Sequence, residues 1–173
     1  MQNKDNIILI GMPGCGKSTI GVLLAKALAR EFYDSDLLIQ RETGKLLKDI
    51  IRDEGISGFN AIEDRVNAKI DCHNSIIATG GSVIFGENAM AHFKEIGTVV
   101  YLYVSCDDIG KRLGDLDERG VVHKSGETIS DIFKVRDPLY RKYADITVRE
   151  PEGDFNMALV LAETVRTLRD KGF

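Results

Sequence analysis

A chain of 173 residues is the size of one domain and long enough to bury a core, so no second independent unit is expected. A net charge of −4 without a basic run or an aromatic-rich basic patch argues against a nucleic-acid surface and for a small partner. Three cysteines, Cys15, Cys72 and Cys106, lack C-x-x-C spacing and suggest neither disulfide framework nor zinc site. With no membrane-length apolar run and a polar N-terminus, a cytoplasmic monomer free of membranes is expected.

In chain order, the apolar run Ile7-Ile8-Leu9-Ile10 reads as a strand. It leads into Gly11-Met12-Pro13-Gly14-Cys15-Gly16-Lys17-Ser18, which fits G-x-x-x-x-G-K-[ST]. The glycines let backbone N–H groups turn inward around a phosphate, Lys17 supplies a mobile positive charge, and the Ser18 hydroxyl suits Mg²⁺. From there, Ile20, Leu23, Leu24, Ala27 and Leu28 form the stripe of an amphipathic helix whose N-terminus lies under the phosphate. The motif is a nucleoside-triphosphate cradle built from Gly11, Gly14, Cys15, Gly16, Lys17, Ser18 and Thr19.

Phe32-Tyr33 then leads to Asp34-Ser35-Asp36, a short strand ending in carboxylates. Residues 37 to 72 carry helical signals in pieces broken at Gly44, Gly55 and Gly58, which suggests a substrate-gripping lobe. Ile76-Ile77-Ala78-Thr79 is a buried strand stopped by Gly80-Gly81, and Val99 to Val104 is the next strand. Lys111 to Gly126, charged and weakly periodic, reads as a lid or a plain surface loop. Residues 127 to 143 look helical with Pro138 as kink or boundary, Ile146-Thr147-Val148 is a last strand, and Met157, Leu161, Val165 and Leu168 share one face of a closing helix. Five strands alternating with helices predict an α/β fold of three layers: a five-stranded, mainly parallel sheet with helices on both faces and ligands at the strand carboxyl ends.

A phosphate loop alone fits kinases, hydrolytic switches and transport motors, so the other motifs must choose. On an extended backbone Asp34 and Asp36 leave the same face, so one carboxylate can serve Mg²⁺ and the other an acceptor hydroxyl; the alternative is that this D-x-D merely caps a helix. A loose phosphoryl-transfer transition state asks Asp36 for orientation more than for basicity. Gly80-Gly81 is either a turn or a bare backbone that a polar substrate can approach closely. Arg112, Arg119 and Arg136 are candidate phosphate or carboxylate partners, or solvated surface charges.

Together these residues resemble the shikimate kinase family over nearly the whole length. The matching pieces are Gly11 to Ser18, Phe32 to Asp36, Gly55 with Phe59 and Glu63, Ala78 to Gly81, Val100-Tyr101-Leu102, and Arg136 to Tyr140 followed by Ala144-Asp145. The resemblance implies a P-loop, nucleoside-monophosphate-kinase-like fold that moves the γ-phosphate of ATP to a ring hydroxyl of shikimate. It assigns Lys17 and Arg119 to the phosphates, Ser18 and Asp34 to Mg²⁺, and Arg112 to the adenine. Asp36, Gly80, Gly81 and Arg136 are to hold shikimate, with Asp36 as base. The departures gather at the acceptor end: Asn60 stands where the family has an arginine for the substrate carboxylate, Ile56 where it has a glutamate, and Ser82 where it has a third glycine. Gly120-Val121-Val122 replaces the usual Pro-Leu-Leu. Asn60 can still donate a neutral hydrogen bond, and Arg65, Arg52 and Arg41 are possible substitutes for the missing arginine. A kinase for another small polyol or sugar acid, and a nucleotide-binding module without transfer, are the alternatives.

Overall fold

The computed structural model describes residues 4–113, 121–123, 126–150 and 156–173. The elements in order are β1 (Asn6–Ile10), α1 (Lys17–Leu28), β2 (Glu31–Asp34), α2 (Ser35–Thr43), α3 (Leu47–Asn67) and β3 (Ser75–Ala78). A short 3-10 turn (Val83–Phe85) follows, then α4 (Glu87–Ile96), β4 (Gly97–Tyr103), α5 (Cys106–Leu113), α6 (Ile129–Tyr143), β5 (Ile146–Arg149) and α7 (Met157–Arg169). The five strands form one sheet in the order β2-β3-β1-β4-β5, and every pairing is parallel.

The central strands are apolar because helices cover both faces: all of β1 and all of β3 are buried, whereas the edge strands β2 and β5 keep exposed positions. At the amino end of the sheet Asn6 replaces missing ladder contacts. Its Nδ2 donates to Cys72 O at 2.8 Å and Ile96 O at 3.0 Å, and its Oδ1 accepts from Ser75 N at 3.0 Å. The opposite end is open. The chain leaves β1 toward β2 and β3 on one side and later toward β4 and β5 on the other, so the loop after β1 lies at the point where strand order reverses, where such sheets bind ligands.

Several local expectations need correction. The stripe of α1 buries Ile20, Gly21, Leu24 and Ala25, with Leu23 and Leu28 half-buried; Ala27 faces solvent. Gly55 does break α3, with φ 68° and ψ 179°, a conformation that an L side chain would strain. Gly58 breaks nothing: it is helical, and a Cβ there would approach Glu54 Cβ to 2.6 Å across the bend. Pro138 lies inside α6, which starts at Thr128 with a capping box to Asp131 and continues to Tyr143, so Pro138 marks no boundary. Helix α4, which buries Ala89, Met90, Phe93 and Ile96, and helix α5, just before the charged segment, are elements that the sequence reading above does not assign.

A second, smaller core fills the space between α2 and α3, with Ile39, Ile50, Phe59, Val66 and Val122 buried together. Its separateness from the main sheet core explains how α2 and α3 stand as a wall beside the strand ends. The expected lid falls largely on residues 114–120 and 124–125, outside the described residues, as do Arg119 and Gly120. Among the described residues no helix is long and apolar enough to cross a membrane.

Candidate active site

The phosphate loop ends in the N-terminus of α1. Gly16 takes the N-cap position with φ 93° and offers no side-chain cap, so the first N–H groups of the helix are left for an anion. Lys17, only 8% exposed, folds back so that Nζ donates to Gly11 O at 2.8 Å and Met12 O at 3.0 Å. These are neutral carbonyl partners, which a phosphate can replace. The backbone N–H of Cys15 closes a turn onto Met12 O, and its thiol is buried near Lys17 Nζ at 3.8 Å.

The paired aspartates are not side by side on a strand. Asp34 ends β2 and caps α2, its Oδ1 accepting from Asp36 N at 3.0 Å, so Asp36 already lies in the first helical turn. The strand passes into the helix with no loop because that carboxylate satisfies an N–H the new helix would otherwise leave unpaired. Capping and site roles therefore coexist. The other oxygen, Asp34 Oδ2, accepts from Ser18 Oγ at 2.8 Å, which brings two hard oxygen donors together beside the loop.

A cavity of about 630 Å³ runs from this loop into the space under α3 and α6. At one end it is lined by Gly14, Gly16, Lys17, Ser18 and Thr19; at the other by Asp36, Phe59, Glu63, Gly80, Gly81, Ser82, Val122 and Arg136. Arg136 is held on α6, where Tyr140, one turn along, donates to Gly81 O and stacks on Tyr101 with ring centroids 5.0 Å apart. The guanidinium is 4% exposed, donates to Val122 O and lies over the Phe85 ring.

Asp36 and Glu63 meet at Gly80. A Cβ on Gly80 would overlap Glu63 Oε1 and lie 3.0 Å from Asp36 Oδ1. Burial, with help from the Asp34 charge and against the pull of Lys17, pushes Asp36 up to about 6. Glu63 is pushed up to about 7, chiefly by burial and also by Asp36, while the Ser82 hydrogen bond, Arg136 and Lys17 pull it down. Sequence patterning gives Glu63 no role, because its partners come from a loop 19 residues later in the chain.

Other expected residues lie elsewhere. Gly11 sits behind the loop, where a Cβ would approach Leu102 O to 2.7 Å. Asn60 lines a neighbouring cavity of about 270 Å³ with Ile56, Phe85, Ile132 and Arg136, and its Oδ1 is buried without a partner. Arg112 pairs with Glu150 at the end of β5. Arg65 pairs with Glu42 and Arg52 with Asp49 and Asp53 at the surface, so neither enters the cavity, nor does Arg41 line it.

The family model for shikimate kinase matches residues 13–168, which takes in the loop from Pro13 onward, the carboxylates, Gly80-Gly81 and Arg136 together. The chain belongs to the shikimate kinase family. A shikimate kinase of Nitrosospira multiformis is 39% identical over 146 residues, 83% of this chain and 75% of its own. One from Coxiella burnetii is 36% identical over 160 residues, covering 90% and 88%. Among solved structures, a shikimate kinase from Acinetobacter baumannii in complex with shikimate superposes with TM-score 0.80 at 29% identity, covering 99% of this chain and 97% of that one. The enzyme from Aquifex aeolicus gives 0.79 at 30% identity, with 97% and 98% covered. The shikimate kinase fold is thus the five-stranded parallel sheet and helical cover described above, a P-loop, nucleoside-monophosphate-kinase-like architecture, and the chain is a kinase with an alcohol acceptor.

Proposed function

We propose that this protein transfers the γ-phosphoryl group of ATP to a ring hydroxyl of shikimate, giving shikimate 3-phosphate. The observation that carries the proposal is one continuous cavity with a phosphate cradle at one end and Asp36, Gly80, Gly81 and Arg136 at the other. The loop N–H groups and Lys17 hold the triphosphate, and Arg136 faces the acceptor carboxylate. Asp36 orients the acceptor hydroxyl toward the γ-phosphorus and takes its proton as the new P–O bond forms and the bond to ADP breaks. Gly80 and Gly81 let the acceptor ring lie against bare backbone. Ser18 and Asp34 fit Mg²⁺, a hard cation that binds through few carboxylates plus phosphate and water oxygens; when bound, it neutralises charge on the phosphates. Arg112 and Arg119 complete the nucleotide side in this proposal, and residues 37–72 form the acceptor-binding lobe of a single domain.

The test is ADP release from ATP and Mg²⁺ with and without shikimate. Acceleration by shikimate with formation of the 3-phosphate supports the proposal; no acceleration at millimolar shikimate overturns it. Asn60 favours a second reading, another small polyol or sugar acid, because among the described residues Arg136 is the one arginine lining the cavity to meet a carboxylate. Acceleration by such a compound and not by shikimate selects that reading.

A further inference from the structure

Beside the main cavity, the second one of about 270 Å³ opens between α3 and α6. Ile56 and Asn60, one turn apart on α3, form one wall, and Phe85, Ile132 and Val135 make up the rest of its apolar lining. Asn60 Oδ1 is buried without a partner, which is costly, and a turn about χ2 that presents it to the cavity breaks no hydrogen bond. Arg136 stands between the two cavities and lines both. Its Nη1 is 3.2 Å from where a Cβ on Gly81 would stand, Nη2 donates to Val122 O, and Cζ is 5.6 Å from the centre of the Phe85 ring. The space is several times the roughly 30 Å³ that one water molecule takes, so it has room for a short alkyl chain.

We propose that the Asn60 cavity extends the acceptor site, so that this kinase phosphorylates secondary carboxamides of its acceptor acid as well as the free acid. This rests on the kinase reading of the main cavity and on Arg136 as the group that faces the acceptor's carboxyl end. In such an amide the carbonyl oxygen accepts from Arg136, the N–H donates to Asn60 Oδ1, and the N-alkyl group lies against Ile56, Phe85 and Ile132. A free carboxylate has acceptor oxygens only, so it leaves Oδ1 unpaired. Neither Ile56 nor Asn60 is charged, so the α3 wall offers nothing to pair with a second acid group, and its apolar neighbours favour an alkyl or aryl substituent. The loss of charge at Arg136 and the gain of a donor for Oδ1 oppose one another, which brings the amide close to the acid in affinity. The phosphorylated hydroxyl is on the ring, so the transfer step itself is unchanged.

The test compares shikimate, its N-propylamide and its N-methyl-N-propylamide, which lacks the N–H, in calorimetric binding and in ADP release from ATP and Mg²⁺. Wild type should bind the N-propylamide within about tenfold of shikimate and release ADP with it, and should bind the N-methylated amide at least about tenfold more weakly than the N-propylamide. Asn60→Leu keeps the volume and loses the carbonyl, and Asn60→Arg fills the cavity. Each should weaken the N-propylamide relative to shikimate at least about tenfold. Val135→Trp narrows the cavity from its exposed rim and serves if the Asn60 variants fail to fold. A wider gap between N-propylamide and shikimate in wild type, or a smaller effect of N-methylation or of the variants, overturns the inference. So does N-propylamide binding without ADP release where shikimate releases it. In those cases shikimate turnover, and the kinase reading with it, stands. Binding of both compounds with ADP release from neither overturns the kinase reading and leaves the side cavity as part of the binding site. Absence of shikimate binding overturns both.

Discussion

Ser18 Oγ donates to Asp34 Oδ2 at 2.8 Å, joining the start of α1 to the end of β2. The same Asp34 carboxylate caps α2 through Asp36 N. Charge and cap can be separated by mutation. Asp34→Asn keeps a good N-cap but removes the charge, so melting should stay within a degree or two of wild type while the Mg²⁺ concentration needed for half-maximal turnover rises at least about tenfold. Asp34→Ala should add a stability loss of about 1 kcal/mol. Mg²⁺ titration of turnover, with thermal unfolding of both variants, checks this; an unchanged Mg²⁺ requirement in Asp34→Asn would remove Asp34 from the cation site.

Asp36 is expected to set the pH dependence of turnover. Its carboxyl ionises at about 6, so the form able to take a proton is lost as pH falls through that value. kcat/KM should therefore climb about tenfold per pH unit below about 6 and flatten above it. Asp36→Asn should lower kcat by about 10²-fold or more with ATP affinity retained, since in the proposed mechanism the residue serves the acceptor and not the loop phosphates. A profile with no inflection in that region, or a fully active Asp36→Asn, would assign the proton to another group.

The phosphate end was legible in the sequence because its geometry is local: eight consecutive residues between a strand and a helix carry the whole glycine loop. Asp34 and Asp36 were legible as residues, but not as geometry. Their two-residue spacing has different meanings on a strand and across a strand-to-helix junction, and the cap decided which applied. Glu63 was visible only as a matching residue. Its importance comes from Ser82, Gly80 and Asp36, which approach it through tertiary packing that no period in α3 encodes. Asn60 shows the same limit: three residues before Glu63 on the same helix, it faces a different cavity. Helix α4 left a better signal, with Ala89, Met90, Phe93 and Ile96 at helical spacing between two strands.

Glu63 should also make folding stability depend on pH. Burial raises its carboxyl from 4.5 to about 7, so across that window the folded chain holds a proton that the unfolded chain has released. Stability contributed by the neutral form is present at low pH and lost as pH rises toward about 7, by about 3 kcal/mol in total for this group. Asp36 acts in the same direction at somewhat lower pH, and the two titrate together. Glu63→Gln cannot ionise. Urea unfolding of wild type and Glu63→Gln at about pH 5 and about pH 8 should show the wild type losing clearly more stability between the two than the variant does. Parallel losses would mean that Glu63 is ionised at little cost in the folded state.

Gly80 is where the two carboxyls converge beside the proposed acceptor site, and it offers the sharpest steric test. A Cβ there meets Glu63 Oε1 and Asp36 Oδ1, and neither can easily retreat. Glu63 is buried and tied to Ser82, and Asp36 is fixed in the first turn of α2. Gly80→Ala should therefore cost about 1–3 kcal/mol through overpacking and lower kcat/KM for the acceptor at least about tenfold, with the KM for ATP little changed. Gly110, in the middle of α5, is the contrast. A Cβ there meets nothing within 4 Å, and helix propensity alone predicts that Gly110→Ala gains up to about 1 kcal/mol. Comparing the two variants separates the loss of a glycine as such from the loss of this particular space. If Gly80→Ala keeps wild-type kinetics for the acceptor, then the carboxyls have room to move and the acceptor does not lie against them.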